Sequence, residues 1–238
     1  MKTEILFPEV ANLCGDLMNV TYLRQCCPEM EVVETGLKDR PAFLDGGVDL
    51  VYVGSATERG LQLMVKALAP YRAELERYVD GGGLMLATGN ALDALGEYVV
   101  IDGKRAFDGL GILKTHAEYH MMKRHNSFLL GSFQDMEIVG FKSLFGHTYP
   151  NSELTDALFR VERGVGRHPG TYAEGFRRGG LMATYLIGPL LPLNPPFTRY
   201  LLEQMGAKDV KLAFEDTAMK AYRARVEEFR DEKRGYQY

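Results

Sequence analysis

The sequence predicts an α/β protein with a mostly parallel central sheet. Up to residue 98, short apolar runs typical of buried strands alternate with amphipathic helical stretches. Strands that alternate with helices form βαβ units, and such units align their strands in parallel. After residue 98 the pattern changes to short strand candidates separated by polar or glycine-containing breaks. The C-terminal half is therefore expected to add antiparallel strands.

The first half contains four strand candidates and two helical stretches. Residues 3–7, 30–35, 49–54 and 83–88 are apolar or alternate in the way that strands do. Residues 16–27 and 58–79 have helical spacing of apolar side chains, and Pro70 predicts a kink or break in the second stretch. These elements account for the predicted parallel core.

The second half is punctuated by turn signals. Asp102-Gly103 predicts a hairpin turn, and residues 112–145 and 157–185 are rich in strand candidates. The prolines of GPLLPLNPP, residues 188–196, predict a segment without regular structure, and residues 197–205 resume as a helix. In the charge-rich tail, Met219, Tyr222, Val226 and Phe229 form one apolar stripe of a helix. We expect this stripe to pack on its own domain, with a partner-binding helix as the alternative.

Composition excludes several classes of partner. The net charge of −4 comes without a concentrated basic face, so nucleic acid is not expected as a partner. Nowhere do about 18 apolar residues follow one another, so membrane insertion is not expected either, and we expect a cytoplasmic protein. The 3 cysteines indicate free thiols without a disulfide framework. The DGGG at 80–83 precedes a strand and lacks the ending of a phosphate loop, and we expect no cofactor.

Histidine and cysteine spacing does not predict a second reactive site. His116, His120 and His125 lie in a region of predicted strands, where their spacing does not place them on one face, so no metal site is expected. Cys14 lies in the loop before the first helix, where a thiol can be activated. We expect it instead to be a small buried residue of the core.

The stretch LATGNALDALGEY, residues 86–98, predicts a strand that enters a helix through a sharp turn at Gly89. Many α/β enzymes hold a nucleophile at such a turn, because the backbone N–H groups at the start of the helix can stabilise an oxyanion. A purely structural connection between strand and helix accounts for the residues equally well. The local pattern leaves both interpretations open.

Several stretches in order resemble the class I glutamine amidotransferase family. They are GDLMNVTYLRQ (15–25), DLVYVGSATERG (49–60), LATGNALDALGEY (86–98), DGLGIL (108–113), EIVGF (137–141) and ATYLIGPLLPLNP (183–195). More narrowly, the chain resembles the cobyric-acid-synthase-like branch that includes the glutaminase subunit of lipid II isoglutaminyl synthase. The resemblance implies a flavodoxin-like three-layer sandwich over residues 1–206, which leaves 207–238 as a C-terminal helical extension.

In that family a cysteine at the elbow attacks the glutamine amide, and a histidine before the proline-rich segment is its base. The resemblance places these positions at Gly89 and Ile187, and neither side chain can perform the reaction. Ser55 lies where the family has a glycine-rich oxyanion loop, and Asp93 stands where a glutamine is usual. The resemblance therefore implies a catalytically degenerate protein, a scaffolding or regulatory partner of a Mur-ligase-like amide-forming synthetase.

Two alternatives keep a working pocket at the elbow. One is a hydrolase, and the other is a protein that binds an amino acid, a small amide or a peptide. The candidate pocket residues are Ser55, Asn90, Asp93, His147, Tyr149 and Tyr185. Ser55 and Thr88 carry hydroxyl groups near the elbow, but the resemblance gives neither a histidine partner.

Overall fold

The first half of the chain alternates strands and helices in the computed structural model, which describes residues 1–152 and 156–237. In order it forms β1 (Lys2–Leu6), α1 (Met18–Cys26), β2 (Glu31–Thr35), β3 (Leu50–Val53), α2 (Glu58–Leu68), α3 (Arg72–Asp80), β4 (Leu84–Thr88) and α4 (Ala91–Ala94). A 3-10 turn, Ala69–Tyr71, separates α2 from α3 and confirms the predicted break at Pro70.

The second half is dominated by strands. It forms β5 (Tyr98–Ile101), β6 (Lys104–Asp108), β7 (Thr115–Tyr119), β8 (His125–Phe133), β9 (Met136–Leu144), β10 (Gly146–Pro150), β11 (Phe159–Arg163), β12 (Ala173–Glu174), β13 (Phe176–Arg178), β14 (Leu181–Thr184), α5 (Leu190–Leu193), α6 (Pro195–Gln204) and α7 (Glu215–Arg230). The hairpin at Asp102-Gly103 is confirmed. A two-residue turn of this type needs a positive φ at both positions, and the two residues have φ angles of 48° and 78°.

A six-stranded sheet in the order β13-β14-β4-β3-β1-β2 forms the centre of the molecule. The strands from β14 to β2 are parallel, and only β13 at one edge is antiparallel. Successive side chains of a strand point to opposite faces. Tyr52 accordingly packs with Leu23 of α1, whereas its neighbour Val51 packs with Leu61 of α2. Helices thus cover both faces, which confirms the predicted flavodoxin-like three-layer sandwich.

Two smaller sheets account for the predicted antiparallel strands. Their orders are β10-β7-β5-β6 and β12-β11-β8-β9, and β5 with β7 is the one parallel pair among the described strands of these two sheets.

The prediction of an irregular proline segment is wrong. Residues Leu190–Leu193 form the short helix α5, and α6 begins at Pro195. Proline is tolerated in the first turn of a helix, where the backbone N–H has no intrahelical partner. Pro192 and Pro195 both occupy such positions, so neither breaks a hydrogen bond.

The apolar stripe of α7 packs on its own chain. Tyr222, Val226 and Phe229 form a cluster with Phe128 and Val139 of the β8–β9 hairpin. The boundary of the extension at 207–238 stays a prediction, and its last residue, 238, lies outside the described residues. Within the described part of the chain, no helix has an apolar stretch long enough to cross a membrane.

Candidate functional site

The turn between β4 and α4 has the geometry of an elbow. Gly89 adopts a φ of 59°, in the left-handed region that glycine enters without steric cost. A Cβ atom at this position would lie 2.4 Å from Cβ of Ser55 and 3.2 Å from Cγ2 of Ile187. Gly89 and Ile187, which are far apart in sequence, are therefore neighbours in space.

A cavity of about 280 Å³ opens beside this turn. Loops after β1, β3, β4 and β14 supply one side of it, with Leu13, Cys14, Ser55, Asn90, Tyr185 and Ile187. Tyr119, Arg124, Ser143, Leu144 and Phe145 line the other side. In doubly wound sheets, ligands bind at the carboxyl ends of the strands, and this cavity lies there.

The structure brings some of the sequence-predicted pocket residues together and separates others. Ser55, Asn90 and Tyr185 line the cavity. Asp93 is buried behind it and is joined to two lining residues by hydrogen bonds. His147 and Tyr149 lie on β10 outside the cavity lining, where His147 packs on His125 and Tyr149 stacks on His168.

Polar groups at the elbow bond to the protein itself. The N–H of Ser55 donates to Oδ2 of Asp16 at 2.8 Å, and the N–H of Ala56 donates to Oδ1 of Asn90 at 2.9 Å. The Ser55 hydroxyl donates to the carbonyl oxygen of Leu13 at 2.9 Å. An oxyanion hole needs N–H groups that point at the reacting oxygen. Two N–H groups of the loop where the resemblance places that hole, those of Ser55 and Ala56, are already engaged.

The Thr88 hydroxyl is also held by the protein interior. It donates to Oδ2 of Asp16 at 3.0 Å and lies 2.8 Å from the hydroxyl oxygen of Tyr52. All three residues are buried. Burial raises the pKa of the Asp16 carboxyl, although the hydrogen bonds from Ser55 and Thr88 oppose this effect. These three residues fix the base of the turn and do not line the cavity.

Asp93 anchors the floor of the cavity. Its carboxylate accepts hydrogen bonds from the hydroxyls of Tyr119 at 2.6 Å and Tyr185 at 2.7 Å, and from the hydroxyl of Thr148. Burial raises the pKa of Asp93 to about 6, although these three hydrogen bonds stabilise the ionised form. Asp93 therefore orients two residues that line the cavity.

The raised pKa of Asp93 predicts a stability profile. Because the folded-state pKa exceeds the ordinary value of 3.8, the stabilising effect of the protonated form is lost as the pH rises through about 6. An asparagine at this position would not titrate, so the free energy of unfolding of Asp93→Asn should rise relative to wild type by about 3 kcal/mol between roughly pH 4 and pH 7. Urea denaturation across this range measures the difference. Asp135→Asn at an exposed turn is the matched control, and a difference for Asp93→Asn that is constant with pH would contradict the prediction.

His147 is a poor candidate for a base at the elbow. Burial, with the nearby His125 and Lys142, lowers the pKa of its imidazole to about 4. Its ring lies 5.1 Å from the ring of His125, centroid to centroid. It is therefore neutral at neutral pH, and it is half-buried on β10 outside the cavity lining.

The prediction that Cys14 is a small buried residue is wrong. The residue is exposed, has a φ of 60° in a 3-10 turn and lines the cavity. Partial desolvation and the nearby Asp16 carboxylate raise the pKa of its thiol. The thiolate is the reactive form, so Cys14 does not supply an activated replacement nucleophile at neutral pH.

The histidines lie in different environments. His116 stacks between Tyr98 and Tyr149, whereas His125 lies 3.0 Å through its Nε2 from the hydroxyl of Ser127. Across residues 1–152 and 156–237, no group of three or more His, Cys, Asp or Glu side chains has the arrangement to hold a metal ion.

Sequence reasoning missed Arg124, the one cationic residue among the described residues that line the cavity. Its guanidinium lies 4.6 Å from the ring centroid of Phe145, and Nη1 donates to the Ser143 hydroxyl at 3.3 Å. Lys123, Arg124 and His125 follow one another at the start of β8, and nothing local distinguishes the residue that lines the cavity.

The chain is similar to two curated proteins of the same name. It is 30% identical over 198 residues to the lipid II isoglutaminyl synthase (glutamine-hydrolyzing) subunit GatD of Staphylococcus aureus (strain N315), covering 81% of this chain and 79% of that subunit. It is 22% identical over 224 residues to the GatD subunit of Streptococcus pneumoniae (strain ATCC BAA-255 / R6), covering 89% and 84%. No family model matches the chain.

Solved structures support the fold. A crystal structure of a glutamine amidotransferase matches with a TM-score of 0.56 and 18% identity, over 86% of this chain and 99% of that one. The structure of PurLQS from Thermotoga maritima matches with a TM-score of 0.55 and 12% identity, over 94% and 97%. At this identity the likeness shows a shared fold. Together with the similarity to the Staphylococcus aureus subunit, it shows that this chain belongs to the glutamine amidotransferase-like family of the GatD subunits.

Proposed function

We propose that this chain is a catalytically inactive subunit that scaffolds or regulates a Mur-ligase-like amide-forming synthetase. Its two curated relatives are named as subunits of a glutamine-hydrolysing lipid II isoglutaminyl synthase. A subunit that keeps the fold can keep a partner surface after its own chemistry is lost. We also propose that it acts in the cytoplasm.

The contact between Gly89 and Ile187 carries this proposal. By resemblance, these residues occupy the positions of the nucleophile and its base, and the elbow places them 3.2 Å apart when a Cβ is added to Gly89. Neither residue offers a nucleophile or a group that accepts a proton. Loss of such residues lowers turnover by up to roughly a millionfold.

The surroundings of the elbow add independent support. The N–H groups of Ser55 and Ala56 are directed to Asp16 and Asn90, so they do not stabilise an oxyanion. The loss of a single oxyanion donor lowers turnover by about a hundredfold to a thousandfold. A second nucleophile is not evident either, since Cys14 has a raised pKa and the Ser55 hydroxyl donates to a carbonyl.

The second candidate function is binding of a small amino acid, amide or peptide at the same elbow. The cavity beside Gly89 favours it, since its volume of about 280 Å³ is close to the lower limit of ligand pockets, roughly 300 Å³. A hydrolase is less well supported, because His147 lies outside the cavity lining and Asp93 is fully committed to three hydroxyl groups.

Ammonia release from glutamine tests the proposed inactivity. The purified protein, alone and with an added Mur-ligase-like synthetase, should release no more ammonia than the buffer does. The Staphylococcus aureus relative with its own synthetase is the positive control for the assay. Co-elution of this chain with a synthetase would support the scaffolding role. Glutamine-dependent ammonia release by the wild-type protein would overturn the proposal.

A further inference from the structure

Most of the polar side chains that line the cavity already form hydrogen bonds within the protein. Both ends of the Asn90 amide bond to the backbone of Ala56, at 2.8 Å and 2.9 Å. The hydroxyls of Tyr119 and Tyr185 bond to Asp93, and that of Ser55 bonds to the Leu13 carbonyl. A hydroxyl has one proton to donate, so the three hydroxyls have no further proton for a ligand, although their oxygens can still accept a hydrogen bond. The groups that remain are largely aliphatic and aromatic.

The side of the cavity next to the elbow is apolar. Gly89 presents no side chain, and Ile187 fills the neighbouring space with methyl groups. Leu144 and Phe145 line the opposite wall. A carboxamide placed against Gly89 and Ile187 would exchange hydrogen bonds with water for contacts with methyl groups, whereas a hydrocarbon group has no hydrogen bonds to lose. The cavity is thus better matched to an apolar side chain than to that of glutamine.

Two charged side chains in the lining indicate which polar groups a ligand would have. Arg124 is the cation of the described lining residues, and Phe145 and Ser143 hold its guanidinium in place. Glu58, the first residue of α2, contributes a carboxylate to the same lining. A guanidinium binds a carboxylate with charge-assisted hydrogen bonds, and a carboxylate binds an ammonium. A zwitterion matches this pair.

We propose that the cavity binds an α-amino acid with an apolar side chain, such as leucine or phenylalanine, in preference to glutamine. Arg124 takes the carboxylate, Glu58 takes the ammonium group, and the side chain lies against Ile187. This inference rests on the second candidate function, small-molecule binding at the elbow. It adds the chemical class of the ligand and the residues that select it.

Titration calorimetry with a panel of small ligands tests the proposal. Leucine and phenylalanine should bind roughly tenfold or more tightly than glutamine, because the glutamine amide would lie against the methyl groups of Ile187. 4-Methylpentanoate, which lacks the ammonium group, and 3-methylbutylamine, which lacks the carboxylate, should each bind more weakly than leucine. Equal or tighter binding of glutamine would overturn the inference yet leave small-molecule binding intact. An absence of binding by every ligand at millimolar concentration would overturn both.

Two variants test the role of Arg124. Arg124→Gln should weaken leucine binding by about tenfold to a hundredfold, the value of a hydrogen bond to a charged group. Lys123→Gln, at the exposed neighbouring position, should leave it unchanged. Arg124 is itself exposed, so the variant should fold, and its thermal unfolding verifies this. Leucine binding that is equally strong in Arg124→Gln would overturn the assignment. The inactivity of the subunit is measured separately by ammonia release.

Discussion

The double variant Gly89→Cys with Ile187→His should remain without glutaminase activity, and the addition of Ser55→Gly should produce measurable ammonia release. A side chain at residue 89 would place its Cβ 2.4 Å from Cβ of Ser55, well inside van der Waals contact. Ser55 cannot easily move, because its N–H bonds to Asp16 and its hydroxyl bonds to Leu13. Under the proposed assignment of the two positions, the catalytic side chains are missing, and Ser55 also occupies the space that a side chain at residue 89 would need.

The recovered activity should be small. In the wild-type chain the N–H groups of residues 55 and 56 are directed to Asp16 and Asn90, and we expect the triple variant to keep this arrangement. A missing oxyanion donor costs about a hundredfold to a thousandfold in turnover, so the triple variant should lie at least that far below the Staphylococcus aureus relative. An enzyme-coupled assay of ammonia measures the three proteins side by side. Equal activity of the double and triple variants would contradict the role given to Ser55.

A stability cycle tests the same steric conflict without any assumption about chemistry. Gly89→Ala should lower the free energy of unfolding by about 2–4 kcal/mol, because overpacking adds to the strain of a positive φ. In a Ser55→Gly background the same change should cost only about 1–2 kcal/mol, the strain alone. Gly103→Ala is the control for φ strain, since it also has a positive φ but nothing within 4 Å of its Cβ position. Additive effects of Ser55→Gly and Gly89→Ala would exclude the clash.

The strand, the turn at Gly89 and the helix after it could be predicted from sequence because their signals are local, whereas the choice of an elbow over a structural connection came from the family resemblance. A buried apolar strand, a glycine and a helical stretch follow one another within residues 83–98, and each signal is set by side-chain periodicity. The exposure of Cys14 could not be predicted, because it depends on a 3-10 turn with a positive φ at a residue other than glycine. Tertiary contacts hold that conformation, and no local pattern encodes it.

The distribution of pocket residues on β10 shows a second limit. His147 and Tyr149 flank Thr148, and the side chains of a strand alternate between its two faces. Thr148 is the buried residue that bonds to Asp93, so the other two point away from the cavity. A shift of one residue in register would exchange these roles. The sequence placed this strand near the site, but the pairing of β10 with β7 decides which side chains turn inward.

Substitution of Lys142 by methionine should lower the free energy of unfolding by about 3–5 kcal/mol. The Lys142 ammonium is buried and forms an ion pair with the buried carboxylate of Glu174. It also donates to the carbonyl oxygens of Val165 at 2.8 Å and Gly166 at 2.7 Å. Methionine keeps the volume but leaves an unpaired carboxylate in the interior, which is far more costly than the loss of the pair itself. Lys2→Met, at the half-exposed pair with Glu31, is the matched control and should cost at most about 1 kcal/mol.

The Lys142–Glu174 pair also connects the interior to the cavity. Oε1 of Glu174 accepts hydrogen bonds from the N–H of Tyr185 at 2.8 Å and from the hydroxyl of Thr184 at 2.9 Å. Tyr185 lines the cavity two residues before Ile187, so the pair fixes the backbone on which both side chains depend. Combining Lys142→Met with Glu174→Gln removes the unpaired charge, and the double variant should therefore be more stable than Lys142→Met alone. Chemical denaturation of the four proteins in this cycle measures the coupling. If Lys142→Met and Glu174→Gln were simply additive, the charge left behind on Glu174 would not be the source of the loss.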